Sequence, residues 1–316
     1  MNIVFMGTPD FAAANLKAIS DAGHTILAAV SQPDKPVGRH SDLKPTPVKL
    51  TAQALGIPVL QPSRADDPEF LDRIRELDPE LIVVTAYGKL LKPELLSIPK
   101  HGCINVHASI LPRWRGAAPI NWAVIEGDAE VGVTAMQMDE GLDTGDILMV
   151  RKITPAPDET GGSLFDKLSL LGGQLITDTI SALESGSLNR VPQPQEGVCY
   201  ASMLNKDMGN IDWQLPAQRI ERLIRGLYPW PGCYTFFNGK LLKLHKASLL
   251  TDEEYKRTIP ENAVPGTCIC FGTRMAVVCG SGAIELLELQ PESKKRMSAA
   301  DYLRGNRPQG LFGKER

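Results

Sequence analysis

Along residues 1–126, short unbroken apolar runs alternate with stretches whose apolar positions recur every three or four residues. The run Ile3-Val-Phe-Met6 ends in Gly7, and Leu81-Ile-Val-Val84 is apolar without interruption. This pattern predicts strands over 2–6, 25–30, 57–60, 81–85 and 102–107, with helices over 9–21, 48–55, 68–77, 93–96 and 117–126. Continuously apolar strands between amphipathic helices are buried on both faces, as in a parallel sheet. The expected fold is therefore α/β, a doubly wound Rossmann-like N-terminal domain.

The texture changes after residue 130. Two neighbouring strands, 131–138 and 146–153, flank a tight acidic loop, and a long helix is predicted over 162–184. Pro192, Pro194 and Gly197 then break the pattern. Beyond them, brief strand-like runs are separated by turns such as Asn238-Gly239 and Gly280-Ser-Gly282. An Asn-Gly pair between alternating runs is a hairpin signal, and the series fits a small antiparallel β-barrel, OB-like in size. The expected domains are 1–187, the catalytic part; 188–207, a linker; and 208–316, the barrel.

Composition narrows the class of protein. At 316 residues, 43% hydrophobic and 22% charged, the chain is neither a disordered tail nor a disulfide-stapled miniprotein. No run approaches the ~18 apolar residues that span a bilayer, and no basic segment precedes the first apolar run. A cytoplasmic monomer is expected. The six cysteines form no Cys-x-x-Cys pair, which points to free thiols and no metal. The net charge of −3 hides an asymmetry: residues 1–207 carry 18 basic and 26 acidic side chains, residues 208–316 carry 16 and 11. A basic C-terminal part hints at a polyanionic partner.

Several chemistries are excluded by missing motifs. Gly7-Thr-Pro-Asp10 lacks the later glycines of a dinucleotide fingerprint, which argues against NAD. No P-loop and no Gly-x-Ser-x-Gly elbow is present. The acidic run from Asp139 to Asp146 lacks the twelfth-position Glu of a calcium loop, where Val150 stands.

What remains is a set of three polar residues. Asn105 and His107, two apart on a strand, point to one face at its C-terminal end, where open α/β sheets bind ligands. Asp143 lies in the glycine-flanked loop Gly141-Leu-Asp-Thr-Gly145. Singly, each has an ordinary structural reading: a strand-end amide, a core-edge imidazole and a turn carboxylate. Jointly, an amide and an imidazole can stabilise an oxyanion, and a carboxylate can hold the imidazole charged or pass a proton through water. That suits acyl transfer to an amine, with no protein nucleophile. An RNA-binding module on an inactive α/β scaffold is the alternative from another class.

The motifs Asn105-Val-His107-Ala-Ser-Ile-Leu-Pro112, Arg113-Trp-Arg-Gly-Ala-Ala-Pro-Ile120 and Gly141-Leu-Asp-Thr-Gly-Asp146 resemble the folate-dependent formyltransferases. Ser31-Gln-Pro-Asp-Lys-Pro-Val-Gly-Arg39, Thr85-Ala-Tyr-Gly88, Ile211-Asp-Trp213 and Tyr228-Pro-Trp-Pro-Gly232 extend the likeness over nearly the whole chain, toward the tRNA-acting members. The resemblance implies catalytic roles for Asn105, His107 and Asp143. It implies folate binding at Ser109, Ile110, Leu111 and Pro112, with Ile110 where Leu is more usual. It implies contact between Arg39 and the acceptor end of tRNA, although the residues after it, His40-Ser-Asp-Leu43, are less basic than in other members. The implied donor is 10-formyltetrahydrofolate and the implied acceptor is the α-amino group of methionine on initiator methionyl-tRNA. Lys35, Lys44 and Lys49 share the loop with Arg39; Lys240, Lys243, Lys246 and Arg304 are candidate phosphate contacts on the barrel. Formyltransferases of small amines or sugar nucleotides could use the same three catalytic residues, but a small-amine enzyme needs only about the first 200 residues.

Overall fold

A computed structural model describes residues 1–37, 42–306, 308 and 310–313. The chain divides into two compact units. The first comprises 1–119, 130–155 and 164–201; the second comprises 120–129, 156–163 and 202–316. Residues 188–201, assigned to a linker by their composition, thus belong to the first unit.

The first unit is built on a seven-stranded sheet. Across the sheet its strands run Ile147–Ile153, Val131–Gln137, Cys103–His107, Leu81–Thr85, Asn2–Gly7, Thr25–Val30 and Val59–Leu60. The last five pair parallel, whereas Val131–Gln137 runs antiparallel to both of its neighbours. This is the expected Rossmann-like parallel sheet. The strand order reverses between Asn2–Gly7 and Leu81–Thr85, so the crevice for a ligand opens beyond the ends of those strands. Leu81–Thr85 and Cys103–His107 are buried at every position, which is why Leu81–Val84 reads as an unbroken apolar run and why the polar Asn105 and His107 stand out in the second strand.

Local chemistry starts and stops the helices. The Asp67 carboxylate accepts from the Glu69 backbone N–H and caps Pro68–Leu77, which ends where Asp78 turns left-handed at φ 46°. The long helix Gly161–Glu184 approaches Asp10–Asp21 closely through two glycines. A Cβ on Gly172 would lie 2.9 Å from Asn15 Oδ1, and one on Gly173 would lie 2.9 Å from the Ala18 Cβ. Nearby, the rings of Phe11 and Phe165 meet edge-on at 5.9 Å.

The segment read from sequence as the loop bearing Arg39 contains two short antiparallel strands, Lys35–Val37 and Asp42–Lys44. Three-residue strands with a proline carry too little alternation to be read from sequence.

The second unit is a nearly closed antiparallel barrel. Its strands run Cys233–Phe237, Lys240–Leu249, Ala283–Pro291, Arg274–Val278, Thr267–Phe271 and Gly310–Leu311. Asn238 and Gly239 turn the first hairpin with φ of 50° and 72°, as their sequence predicts. Trp213 anchors the unit by donating through Nε1 to Thr235 Oγ1 at 3.0 Å, both residues being buried. Two helices went unread in the sequence, Asp252–Thr258 and Ala299–Gly305. Each is only two turns long, too short to show a face, although Thr251 and Glu254 form a capping box.

Candidate active site

The three polar residues singled out by sequence come together at one point in the first unit. Asn105 and His107 are buried on the last strand of the parallel set, opposite Met136 and Thr134 of its antiparallel neighbour. Asp143 reaches both from the loop beyond that neighbour. Its Oδ1 accepts from Asn105 Nδ2 at 3.5 Å, and its Oδ2 lies 3.6 Å from His107 Nδ1. Neither separation is a close hydrogen bond. The amide and imidazole therefore keep donor capacity for another oxygen placed among them.

The other contacts around the three residues are close. His107 donates through Nε2 to the carbonyl of Trp114 at 2.8 Å. This orients Nδ1 toward Asp143, so a ring protonated on both nitrogens has a partner on each side. Asp143 Oδ2 accepts from the Gly116 backbone N–H at 2.8 Å. Asp143 itself is left-handed, φ 53°, which a short polar side chain tolerates. A Cβ at Gly145 would fall 1.7 Å from the Gln137 carbonyl oxygen, so only glycine lets the loop return this close to its strand.

Gln193 completes the frame. Its Nε2 donates to the carbonyls of Asp143 and Gly145, both at 2.8 Å, while its Oε1 accepts from Arg115 Nη2 at 2.8 Å and Nε at 3.2 Å. Both side chains are buried. The strand pair Arg115–Gly116 with Tyr200–Ala201 braces the same turn. Gly116 has φ 109°, and a Cβ there would lie 2.8 Å from the Ala201 carbonyl oxygen. Sequence reading missed the Trp114 carbonyl, the Gly116 N–H and Gln193. The first two are backbone groups that no side-chain pattern reports, and Gln193 lies in a Pro-Gln-Pro stretch read as linker.

Residues 109–112 are largely turned to internal bonding. Ser109 Oγ donates to the Arg113 carbonyl at 2.6 Å. Thr134 Oγ1 donates to the Ser109 carbonyl at 2.7 Å and accepts from the Leu111 N–H at 3.2 Å. Ser109 and Leu111 are buried, and Ile110 and Pro112 are half-buried.

Arg39 lies outside the described residues. Lys35 and Lys44 are exposed on the hairpin. Lys49 is no loose cation: its Nζ bonds Asp34 Oδ2 at 2.5 Å. On the barrel, Lys240, Lys243 and Lys246 are exposed, and Arg304 pairs with Asp301 at 3.3 Å. Cys103, at the start of the strand bearing His107, has its thiol pushed up to about 12 by burial, which removes it as a nucleophile. Among the described residues, no group of three or more His, Cys, Asp or Glu side chains could hold a metal ion, and no helix is long and apolar enough to cross a membrane.

Comparison with known proteins identifies the family. Residues 1–180 match the family described as formyl transferase, and residues 203–307 match the formyl transferase C-terminal domain. The chain is 50% identical over 308 residues to the methionyl-tRNA formyltransferase of Geobacter metallireducens, covering 97% of this chain and 96% of that protein. It is 48% identical to the methionyl-tRNA formyltransferase of Caldanaerobacter subterraneus subsp. tengcongensis, covering 99% of each. Among solved structures, the N-formyltransferase of Helicobacter canadensis in complex with folinic acid and dTDP-3-aminofucose superposes with a TM-score of 0.67 at 17% identity, over 93% of this chain and 99% of that one. That likeness shows the fold alone.

Proposed function

Since the chain belongs to the formyl transferase family and matches its methionyl-tRNA formyltransferases over nearly its whole length, we propose that Asn105, His107 and Asp143 carry out its reaction. The enzyme moves the formyl group of 10-formyltetrahydrofolate to the α-amino group of methionine on initiator methionyl-tRNA, for translation initiation. The observation that carries the site assignment is that Asn105 and His107 each lie within 3.6 Å of the Asp143 carboxylate.

The reaction needs a neutral amine, an activated formyl carbon and a path for one proton. The amine nitrogen attacks the formyl carbon, and the carbonyl oxygen gathers negative charge in the tetrahedral intermediate. His107 and Asn105 donate to that oxygen. As the intermediate collapses, the bond from the formyl carbon to the folate nitrogen breaks. The proton lost by the attacking amine passes, through water held by Asp143, to the departing nitrogen. Asp143 also offsets the positive charge of a protonated His107. No covalent protein intermediate is required.

Ser109 to Pro112 form the edge on which the folate rests, their backbone held by Thr134. The acceptor end of the tRNA is gripped by the loop bearing Arg39, and residues 208–316 bind tRNA mainly through phosphates. The first unit, residues 188–201 included, is the catalytic domain, and 202–207 lead into the barrel. The enzyme works as a monomer in the cytoplasm.

The test is a formyl-transfer assay with 10-formyltetrahydrofolate and methionyl-tRNA. Asp143→Asn should lower the single-turnover rate by about a hundredfold or more while leaving folate affinity within about threefold. A rate within threefold of the parent would remove Asp143 from the mechanism.

A further inference from the structure

At the base of the 35–44 hairpin lies a set of polar contacts that the reaction itself does not use. Lys49 Nζ donates to Asp34 Oδ2 at 2.5 Å, and Gln61 Nε2 donates to Asp34 Oδ1 at 2.7 Å and to the Gln32 carbonyl at 2.9 Å. Gln32 Nε2 in turn donates to the Tyr87 carbonyl at 3.2 Å. The Asp34 and Lys49 side chains are only 19% and 22% exposed. Both oxygens of Asp34 are therefore engaged, one by a cation and one by an amide, in a shielded setting.

The placement gives these bonds a role. Asp34 immediately precedes the first hairpin strand, Lys35–Val37, and Lys49 lies in the first turn of the helix Pro47–Ala54 that follows the second strand, Asp42–Lys44. The pair ties together the two ends of the segment that carries the hairpin. A second tie lies beside it, where Ser31 Oγ and Thr46 Oγ1 are 2.6 Å apart and Thr46 also caps the helix. The hairpin beyond presents Lys35, Lys44 and a two-thirds exposed Leu43 to solvent. A hairpin of three-residue strands with an exposed leucine has little packing of its own to fix its direction. The ties at its base must do so.

We propose that Asp34, Lys49 and Gln61 form a latch that aims the hairpin at the acceptor end of the tRNA, and that Lys49 acts as a positioning residue and not as a phosphate contact. This rests on the reading that the chain formylates methionyl-tRNA. The latch holds the hairpin through charge-assisted hydrogen bonds, which are short and directional. Its loss leaves the catalytic residues in place and lets the hairpin swing, so the effect falls on encounter with tRNA and not on folate.

Steady-state formyl transfer with the full chain, 10-formyltetrahydrofolate and methionyl-tRNA tests the latch. Asp34→Asn and Lys49→Met should each raise KM for the tRNA about tenfold, with kcat within about twofold and KM for the folate unchanged. The double variant should be no worse than the poorer single one, because either change alone opens the latch. Lys49→Arg should restore most of the loss. Gln61→Met removes a tie from the other side, so the test survives if one variant fails to fold. If Lys49→Met raises KM while Asp34→Asn does not, Lys49 touches the phosphate directly and the latch is wrong. Unchanged tRNA KM in every variant also overturns it, as does a loss confined to kcat. If the parent enzyme does not formylate methionyl-tRNA at all, the underlying reading fails and the latch's role with it.

Discussion

His107 donates its Nε2 hydrogen to the carbonyl oxygen of Trp114, 2.8 Å away and seven residues further along the chain. That single bond decides which edge of the imidazole is left uncommitted. With Nε2 committed to the backbone, Nδ1 is the nitrogen that faces Asp143.

His107→Ala should therefore cut the single-turnover rate by about 10²–10³, the usual effect of losing one oxyanion donor. The same change strips a buried carbonyl of its donor, which costs about 1–3 kcal/mol. Urea unfolding should show that loss, and folate titration should show an affinity close to the parent. A variant with normal turnover and lowered stability would make His107 a structural residue only.

Gln193 carries a comparable load from a less obvious place. Its amide holds the carbonyls on both sides of Thr144 and receives two hydrogens from Arg115. Gln193→Leu frees the Asp143 loop on one side and leaves a buried guanidinium short of an acceptor. Turnover should fall at least about tenfold, since small misplacements of reacting groups cost this much, and the denaturation midpoint should drop. Gln193→Glu, which keeps the acceptor but not the donors, should retain the Arg115 contact and still impair turnover. Wild-type turnover in both variants would mean that the Gly116 N–H alone holds Asp143.

The six thiols should separate by environment. Burial pushes Cys103, Cys233 and Cys279 up to about 12 and raises Cys268 further. Cys199 and Cys270 are half-buried. A disulfide reagent added to the native protein near pH 8 should titrate Cys199 and Cys270 first, and the other four only with denaturant, since the thiolate is the reacting species. Rapid reaction of Cys103 in the native protein would contradict the tight packing of the strand that carries His107.

The barrel should weaken in mild acid. His245 is held below its ordinary 6.5, first by burial and also by Arg296 and Lys243, against the raising effects of Gln290 and Glu288; the ring of Tyr228 packs on it edge-on. Between the lowered folded value and 6.5, the unfolded chain binds more protons at this site than the folded one. The contribution is complete above 6.5 and is lost as pH falls through that window. The melting temperature of the parent should fall more than that of His245→Gln between about pH 8 and pH 5. Equal losses in the two proteins would remove His245 as a cause.

Much of this architecture was legible from the chain itself. The helices Pro68–Leu77 and Pro93–Leu96 and the strand Leu81–Thr85 were read to the residue. In each case the signal is local: a proline opens each helix, Asp67 caps one of them, and the strand is apolar at four consecutive positions. Asn105, His107 and Asp143 stand out in the sequence for a different reason: they lie in Asn-x-His and Leu-Asp-Thr-Gly motifs that resemble those of an established family. The 35–44 hairpin, Gln193 and the two-turn helices were not legible. Their partners lie far off in sequence, or their own runs are too short to show a period.

The chain alone determined what is set by neighbouring residues: which runs are buried strands, where helices are capped, and which side chains are able to donate, accept or carry charge. Only the tertiary structure decided how those groups meet. Asn105 and Asp143 are 38 residues apart, and Gln193 lies 50 residues beyond Asp143. Hydrogen bonds act over a few ångströms in space regardless of that separation. It is the return of the chain at Gly145 and the pairing of Arg115–Gly116 with Tyr200–Ala201 that convert distant polar residues into one site.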